Sequence, residues 1–504
     1  MANELQNRNT VMAVVKEVTE GTPVAPSAAT QFIPIHEGFT FEPAFDELEN
    51  AELQSSIGQT KNSLGLENPT TSFDLYIKHS GVEAQAPNWG VLLESSLGQV
   101  TAAPSELNVA ASTTASVVKV AASGTDYPRG SAVLLKNSTN SYEIRPVSGS
   151  TATDITLAFD TANIADTGVG IGRPVQYSPL SVGHPTLSVW GYRANAGALE
   201  LMGGGRVTDL SIEVPAAEAI TGSFTIDGIE YYFNPLTTTA SLKYVDFTDD
   251  VGTVAAQVEE KTWKDPYELA DALSTAMTAA SVGSGDDTIT VTYNDSNGKF
   301  SFASDGTTFS LLWNTGTNAA NTIGSLIGFS VAADDTGATT YEGDSAVSWA
   351  AAFTPDFDDV DFNVAKANNV LIGDQQDNTC FAAQTISYSI TNTKTDVLDM
   401  CATSGKSGSQ FTEREITVDV VGYLTTNQAE EFKRFRANDE ISFAHNFGVK
   451  SGGNWVPGKC VNTYMPSARI SSFALGDSDG LVTLEMTIQA FVKDGLDEFF
   501  MNFL

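Results

Sequence analysis

Alternation with period two, repeated in segment after segment, is the feature that most limits what this chain can fold into. Leu187 and Val189 alternate with Thr186, Ser188 and Trp190; Leu210, Ile212 and Val214 with Ser211 and Glu213; Ile386, Tyr388 and Ile390 with Thr385, Ser387, Ser389 and Thr391. The same pattern sets Ile416, Val418 and Val420 against Glu415, Thr417 and Asp419, and Val482, Leu484, Met486 and Ile488 against Thr483, Glu485, Thr487 and Gln489. Successive side chains of a strand point to opposite faces, so each segment reads as a half-buried antiparallel strand with one wet face. Polar turns such as GDSDG at 476–480 predict hairpins between them. The expected fold is mainly β: an antiparallel β-sandwich with a flanking α-helix, a small all-β insertion and an α+β insertion.

Helical signals are few. In 265–280 Asp265 caps, Pro266 takes the first helical position and Glu268 completes a capping box, with Leu269, Leu273 and Met277 on one face. A second helix is expected over 426–436, capped by Thr426, with Phe432 and Phe435 facing inward. A short one near Trp89–Leu97 puts Trp89, Leu92, Leu93 and Leu97 on one side.

Composition shifts divide the chain. Residues 101–122 are dominated by Ala, Ser, Thr and Val, and short strands follow over 132–135, 142–147 and 155–158, which marks 101–176 as a small all-β insertion. A second shift near 216 opens an α+β module ending near 345, with strands at Ile289–Tyr293, Phe300–Phe302 and Phe309–Trp313. The host domain is then residues 1–100, 177–215 and 346–504, and 216–345 is an accessory module expected to face outward. No repeat of fixed period appears.

The 504 residues carry 62 acidic against 26 basic side chains, a formal net charge of −36. Such a surface repels nucleic acid and anionic lipid, and it also keeps a β-rich protein soluble. Cys380, Cys401 and Cys460 form no CxxC and read as free, mostly buried thiols of a reducing compartment. The four histidines are scattered, and His36 and His445 sit in apolar strand contexts as ordinary core or edge residues. Val11–Val15 is too short for a signal-peptide core, and no window reaches the length needed to span a bilayer, so the chain is expected to be made in the cytoplasm and soluble.

Catalytic motifs do not emerge. GVGIGRP (168–174) and MGGGR (202–206) are neither dinucleotide nor P-loop signatures and read as turn or bulge glycines. The Asp-rich stretches DFTDD (246–250), NDSNG (294–298), ADDTG (333–337), DFDDVD (356–361) and GDSDG miss the EF-hand spacing and read as hairpin tips, with a surface calcium ion left open. No GxSxG elbow is present. The reading is of a non-enzymatic protein without cofactor or structural metal.

With the insertions set aside, the frame resembles the tail tube proteins of siphophages. EVTEGTPVAPSAATQFIPIHEGFTFEP, after Val11–Val15, resembles the family's entry before its first long strand. LENAELQSSIGQTKNSLGLENPTTSFDLYI (48–77) resembles the arm that runs to neighbouring subunits and returns as a strand through Phe73 and Leu75. APNWGVLLESSLG (86–98) is similar to the short helix that follows, and PTLSVWGY (185–192) with GGGRVTDLSIEVP (203–215) to a characteristic pair of strands. The resemblance covers about three-fifths of the chain. It implies homo-hexameric rings stacking into a hollow virion tail, assembled in the bacterial host cytoplasm. The partners it implies are the chain itself, the tail terminator, tape measure and tail tip proteins, and duplex DNA passing without specific binding, with no membrane. The arm's spaced Leu48, Leu53, Ile57 and Leu64 are candidate contacts to neighbouring subunits. Glu213, Glu415, Asp419 and Glu485 are candidate lumen-facing acids, not all of which can face inward. Two alternatives stay open: another virion component (capsid decoration or head–tail connector), or an extracellular polysaccharide-binding or -degrading protein or adhesin.

Overall fold

A computed structural model describes residues 9–52, 58, 60–103, 105–137, 141–194, 197–250, 252–281, 287–353, 368–373, 383–402, 404–424 and 429–504. Its contacts separate two units: Val14–Ser188, Gly204–Ile229 and Pro355–Leu504 form the larger, and Met1–Ala13, Val189–Gly203 and Glu230–Thr354 the smaller. Both are mainly β, as the alternation requires.

The larger unit is built on the strands β1 (His36–Glu42), β2 (Thr70–Tyr76), β3 (Gly98–Ala102), β4 (Val175–Pro179), β5 (Ala198–Pro215, from Gly204 on in this unit), β6 (Thr221–Asp227), β7 (Asn368–Gly373), β8 (Ala383–Leu398), β9 (Lys406–Tyr423), β10 (Ile441–Ser451), β11 (Asn454–Ser478), β12 (Leu481–Ala490) and β13 (Phe500–Phe503). One antiparallel ladder runs β1-β2-β6-β5-β8-β9-β12-β11. A second runs β7-β10-β11-β13-β4-β3. The 25-residue β11 belongs to both: its first part pairs with β10 and β13, its last part with β12.

The inward faces of the ladders meet in one core. Tyr388 of β8 is within hydrogen-bond reach of His445 Nδ1 on β10 (2.5 Å) and of Thr463 on β11 (2.8 Å). Complete burial pushes the His445 pKa down to about 3, so the ring is a neutral core group. Trp89, at the start of the helix Gly90–Leu97, lies edge-on to Phe224 of β6 and to Phe503 of β13. Trp89, Leu92, Leu93 and Leu97 are all buried, as their spacing predicts. Burying a side chain of this size contributes roughly 1.5–3 kcal/mol.

The 101–176 segment forms its own sheet, in the order Ala132–Lys136, Tyr142–Ser150, Asp154–Leu157, Val117–Lys119. One face closes over Val118, Tyr127, Val133, Leu135, Val147, Ile155 and Leu157. The other brings Ala132, Leu134 and Ile144 against Trp455, Cys460 and Leu504 of the host. Burial on both faces accounts for the unbroken apolar run Ala132–Leu135. Gly130 (φ +84°) permits the close seat, since a Cβ there would meet the Phe500 ring at 2.4 Å.

In the smaller unit the helix is Pro266–Ser281, with Asp265 Oδ1 accepting from the Glu268 amide at 2.8 Å. The Glu268 carboxylate accepts from the Lys264 amide (2.7 Å), one residue before the expected capping-box position. Two small sheets, Tyr244–Thr248 with Thr253–Gln257 and Ser310–Leu311, and Ile289–Asn294 with Lys299–Ser304 and Thr340–Glu342, enclose the buried Phe247, Phe300, Phe302, Phe309 and Trp313.

Several expectations are corrected. Thr221–Asp227 is a main-sheet strand between β2 and β5, so the smaller unit resumes at Glu230; its inward Phe224 and Ile226 share the host's period. Only Ser310–Leu311 of the 309–313 segment is strand, and it pairs with Tyr244–Thr248. Thr186, Ser188 and Trp190 are buried where a wet face was expected. Phe432 of the helix Ala429–Ala437 is 47% exposed, resting with Phe435 against Phe473 instead of entering the core; Thr426 lies outside the described residues. Cys401 is exposed and Cys460 buried, and Cys380 lies outside the described residues. Among the described residues, no helix is long and apolar enough to cross a membrane.

Candidate functional site

The outward face of the first ladder gathers the acids named from the sequence. Registered pairing sets Glu213, Ser387, Asp419 and Thr487 in one row across β5, β8, β9 and β12. The next rows read Ser211, Ser389, Thr417, Gln489 and Asp209, Thr391, Glu415. Glu485 of β12 stands opposite Val421 of β9 on the same face. Glu213, Glu415, Asp419 and Glu485 are all exposed. Period-two geometry forces this: the partners of Ile212, Val214, Ile416, Val418, Val420, Leu484 and Met486 must point away from the core those residues fill.

Serine and threonine separate the acids. Glu213 and Asp419 are two strands apart, roughly 10 Å, where like charges in water repel by only about 0.4 kcal/mol. Thr487 donates to Asp419 Oδ1 at 2.6 Å and the Gln489 amide to Glu415 Oε1 at 3.2 Å. Arg469, at the β11 end of the second row, donates to Gln489. The face is exposed, hydroxyl-rich and negative.

Of the arm residues, Leu48 and Leu64 are exposed on a two-stranded ribbon, Phe45–Leu48 with Ser63–Glu67, while Leu53 and Ile57 lie outside the described residues. The ribbon extends past the Glu42–Thr70 end of the β1–β2 pair.

Sequence reasoning missed a polar lock at the root of this sheet. Gly204, within MGGGR, lies inside β5 and not in a turn; it adopts φ +66°, and its amide donates to Glu17 Oε1 at 2.8 Å. Ser188 donates to the same oxygen and the Gly21 amide to Oε2 (2.9 Å each). Arg206 donates to Ser409 Oγ (2.7 Å), the His184 carbonyl (2.9 Å) and Glu20 Oε2 (3.0 Å). Beside it, Arg414 joins Glu498 (2.8 Å), Asn392 Oδ1 (3.1 Å) and the carbonyls of Leu97 and Leu180. The EVTEGT entry and the GGGR step, two of the stretches that carry the resemblance, thus meet each other. Their separation of nearly 190 residues hid the pairing.

Burial raises the Glu17 pKa above its ordinary 4.5, against the lowering pull of its hydrogen-bond donors. An acid whose folded-state pKa is raised costs stability once pH exceeds the unfolded value, and that cost is complete above the folded value. Relative to Glu17→Gln, which cannot titrate, the wild-type protein should therefore lose thermal stability as pH rises from about 4.5 through the raised pKa. Parallel melts from pH 4.5 to 8 check this; a constant difference would show an unperturbed carboxyl.

Aspartates in the smaller unit's turns spend their oxygens on the chain. Asp250 accepts the amides of Thr307 and Thr308 and Asp334 those of Asn314 and Thr315, which holds both carboxyls below the usual range. Of the stretches weighed for calcium, DFDDVD falls outside the described residues. Among the described residues no group of three or more His, Cys, Asp or Glu side chains is placed to hold a metal ion.

No family model and no curated protein matches the chain. Among solved structures it is similar to the SPP1 tail tube determined by solid-state NMR and cryo-electron microscopy, at 15% identity and a TM-score of 0.21, covering 27% of this chain and 77% of that one. It is also similar to a chain of the virion of a native gene transfer agent particle, at 14% identity and a TM-score of 0.19, covering 25% of this chain and 92% of that one. At these scores neither likeness carries an argument about function.

Proposed function

We propose that this chain is a structural virion protein, the major tail tube subunit of a long-tailed phage, whose hexameric rings stack into the conduit for the genome. The observation that carries the reading is the wet face of the first ladder: a broad antiparallel sheet with acids spaced among hydroxyls, opposite a face buried in the core. Turned toward a channel, such a wall repels phosphates and withholds the basic contacts that make DNA binding strong and salt-dependent. Its partners are further copies of itself, with the tail terminator, tape measure and tail tip proteins at the ends of the tube; DNA passes without specific binding, no membrane is involved, and the protein performs no catalysis.

Electron microscopy of the purified protein tests this. Hollow tubes or six-fold rings with β5, β8, β9 and β12 facing the lumen are expected. Isolated monomers would favour a capsid decoration protein, trimers would favour a tailspike-like polysaccharide-active protein, and a neutral or basic inner wall would remove the role given to the acids.

A further inference from the structure

The two ends of the first ladder differ in a complementary way. At one end the Phe45–Leu48 and Ser63–Glu67 ribbon continues beyond the sheet, held at its base by Lys406, whose ammonium donates to the Glu67 carbonyl at 2.7 Å and to Asn68 at 2.6 Å. Every residue of Phe45–Leu48 is exposed, with Phe45 at 44%, Leu48 at 57% and Leu64 at 69%. A two-stranded ribbon with no covered apolar face is marginal in water and gains stability from a partner. Asp46, Glu47 and Glu49 make it acidic.

At the other end, β9 runs out at Tyr423 and the β11–β12 hairpin turns at 479–480. Leu424 bonds through its amide to the Val482 carbonyl, and Leu475 and Phe473 stand opposite Leu484 and Met486. Leu424, Leu475 and Val482 are 40–60% exposed, and Phe432 of the helix Ala429–Ala437 completes the apolar patch through its contact with Phe473. This helix carries Glu430 and Glu431 in its first turn and Lys433, Arg434 and Arg436 after them, so its cations gather toward its C-terminal half, with Lys433 and Arg436 exposed and Arg434 turned to Glu430. The hairpin tip itself carries Asp477 and Asp479, so the exposed cations at this end are Lys433 and Arg436 of the helix.

We infer that the acidic apolar ribbon of one copy seats on Lys433 and Arg436 of the helix and on the Leu424–Leu475–Val482 patch of the next. Two different surfaces at opposite ends of one sheet make a heterologous contact, which propagates instead of closing as a face-to-face dimer would. Opposite charge then fixes which end meets which, and the apolar side chains are covered on both partners. The inference rests on the tube reading and adds the receiving surface.

The test is a charge exchange in the full chain. Lys433→Glu with Arg436→Glu should cut the mass of stacked polymer about tenfold or more. Asp46→Lys with Glu47→Lys should do the same, and all four changes in one chain should restore stacking. Circular dichroism melts and ring formation by the variants establish that they fold. Stacking that survives the helix reversal, or a quadruple variant that stays unstacked, overturns this contact and leaves the tube reading intact. A wild-type protein that neither stacks nor forms rings overturns both.

Discussion

In the proposed tube, lysine at Glu213, Glu415, Asp419 and Glu485 should create retention of duplex DNA that the unaltered wall is expected to lack. Each replacement changes the charge by two, so the wet face gains eight positive units per subunit while its neighbours stay Ser and Thr. Every lysine that contacts a phosphate releases condensed counterions, and binding by Z such contacts falls with salt at a logarithmic slope near −0.9Z. Filter binding of linear duplex DNA to assembled wild-type and quadruple-lysine protein, between about 50 and 200 mM salt, reads this directly. With even six contacts per bound segment the affinity should fall about a thousandfold across that range. Equal, weak binding by both would mean that the face never meets DNA, and the acids would then serve solvation of an outer surface.

Arg206→Ala should be the most destabilising single substitution in the larger unit. The guanidinium is 8% exposed and its partner Glu20 20% exposed. Removing it takes the cation from a partly buried carboxylate, which keeps the hydrogen bond that the Ser409 hydroxyl donates to it, and takes a donor from Ser409 Oγ and the His184 carbonyl. Breaking a buried pair on one side costs about 3–5 kcal/mol, mostly through the charge left behind. Replacing both partners, Arg206→Met with Glu20→Gln, should recover much of that loss. Urea titration by near-ultraviolet circular dichroism measures both variants; a loss under about 1 kcal/mol for Arg206→Ala would show the pair to be solvated.

The strand content was legible because period-two alternation states both the element and its face. The four acids could be placed on the wet side from Ile212, Val418 and Leu484 alone, since a residue next to a core position in a strand must point the other way. That they share one face of one sheet was not legible, because it depends on which strands are neighbours. Alternation gives no register, and the β5–β8 pairing joins positions as distant as Asp209 and Thr391. The insertion's seat was hidden for a related reason: Ala132–Leu135 announces burial without saying what covers its second face. Composition misplaced the start of the smaller unit, because TGSFTID follows the border of an Ala-rich stretch yet keeps the host's alternation. The Glu17–Gly204 and Glu20–Arg206 contacts had a faint signal, Arg206 as an isolated charge beside glycines in an apolar strand, but nothing in either segment names its partner.

The passage of β11 from one ladder into the other has a mechanical meaning. Its 25 residues would extend roughly 80 Å if straight, and hydrogen bonds hold it to β10 and β13 along its first part and to β12 along its last. Antiparallel bonds lie across the strand direction, so a pull along β11 loads many of them at once in shear, whereas a sideways pull would unzip them one by one. Tension entering at the 479–480 turn is carried by a single covalent chain into both halves of the sandwich, and the two layers cannot slide apart without stretching that shared strand.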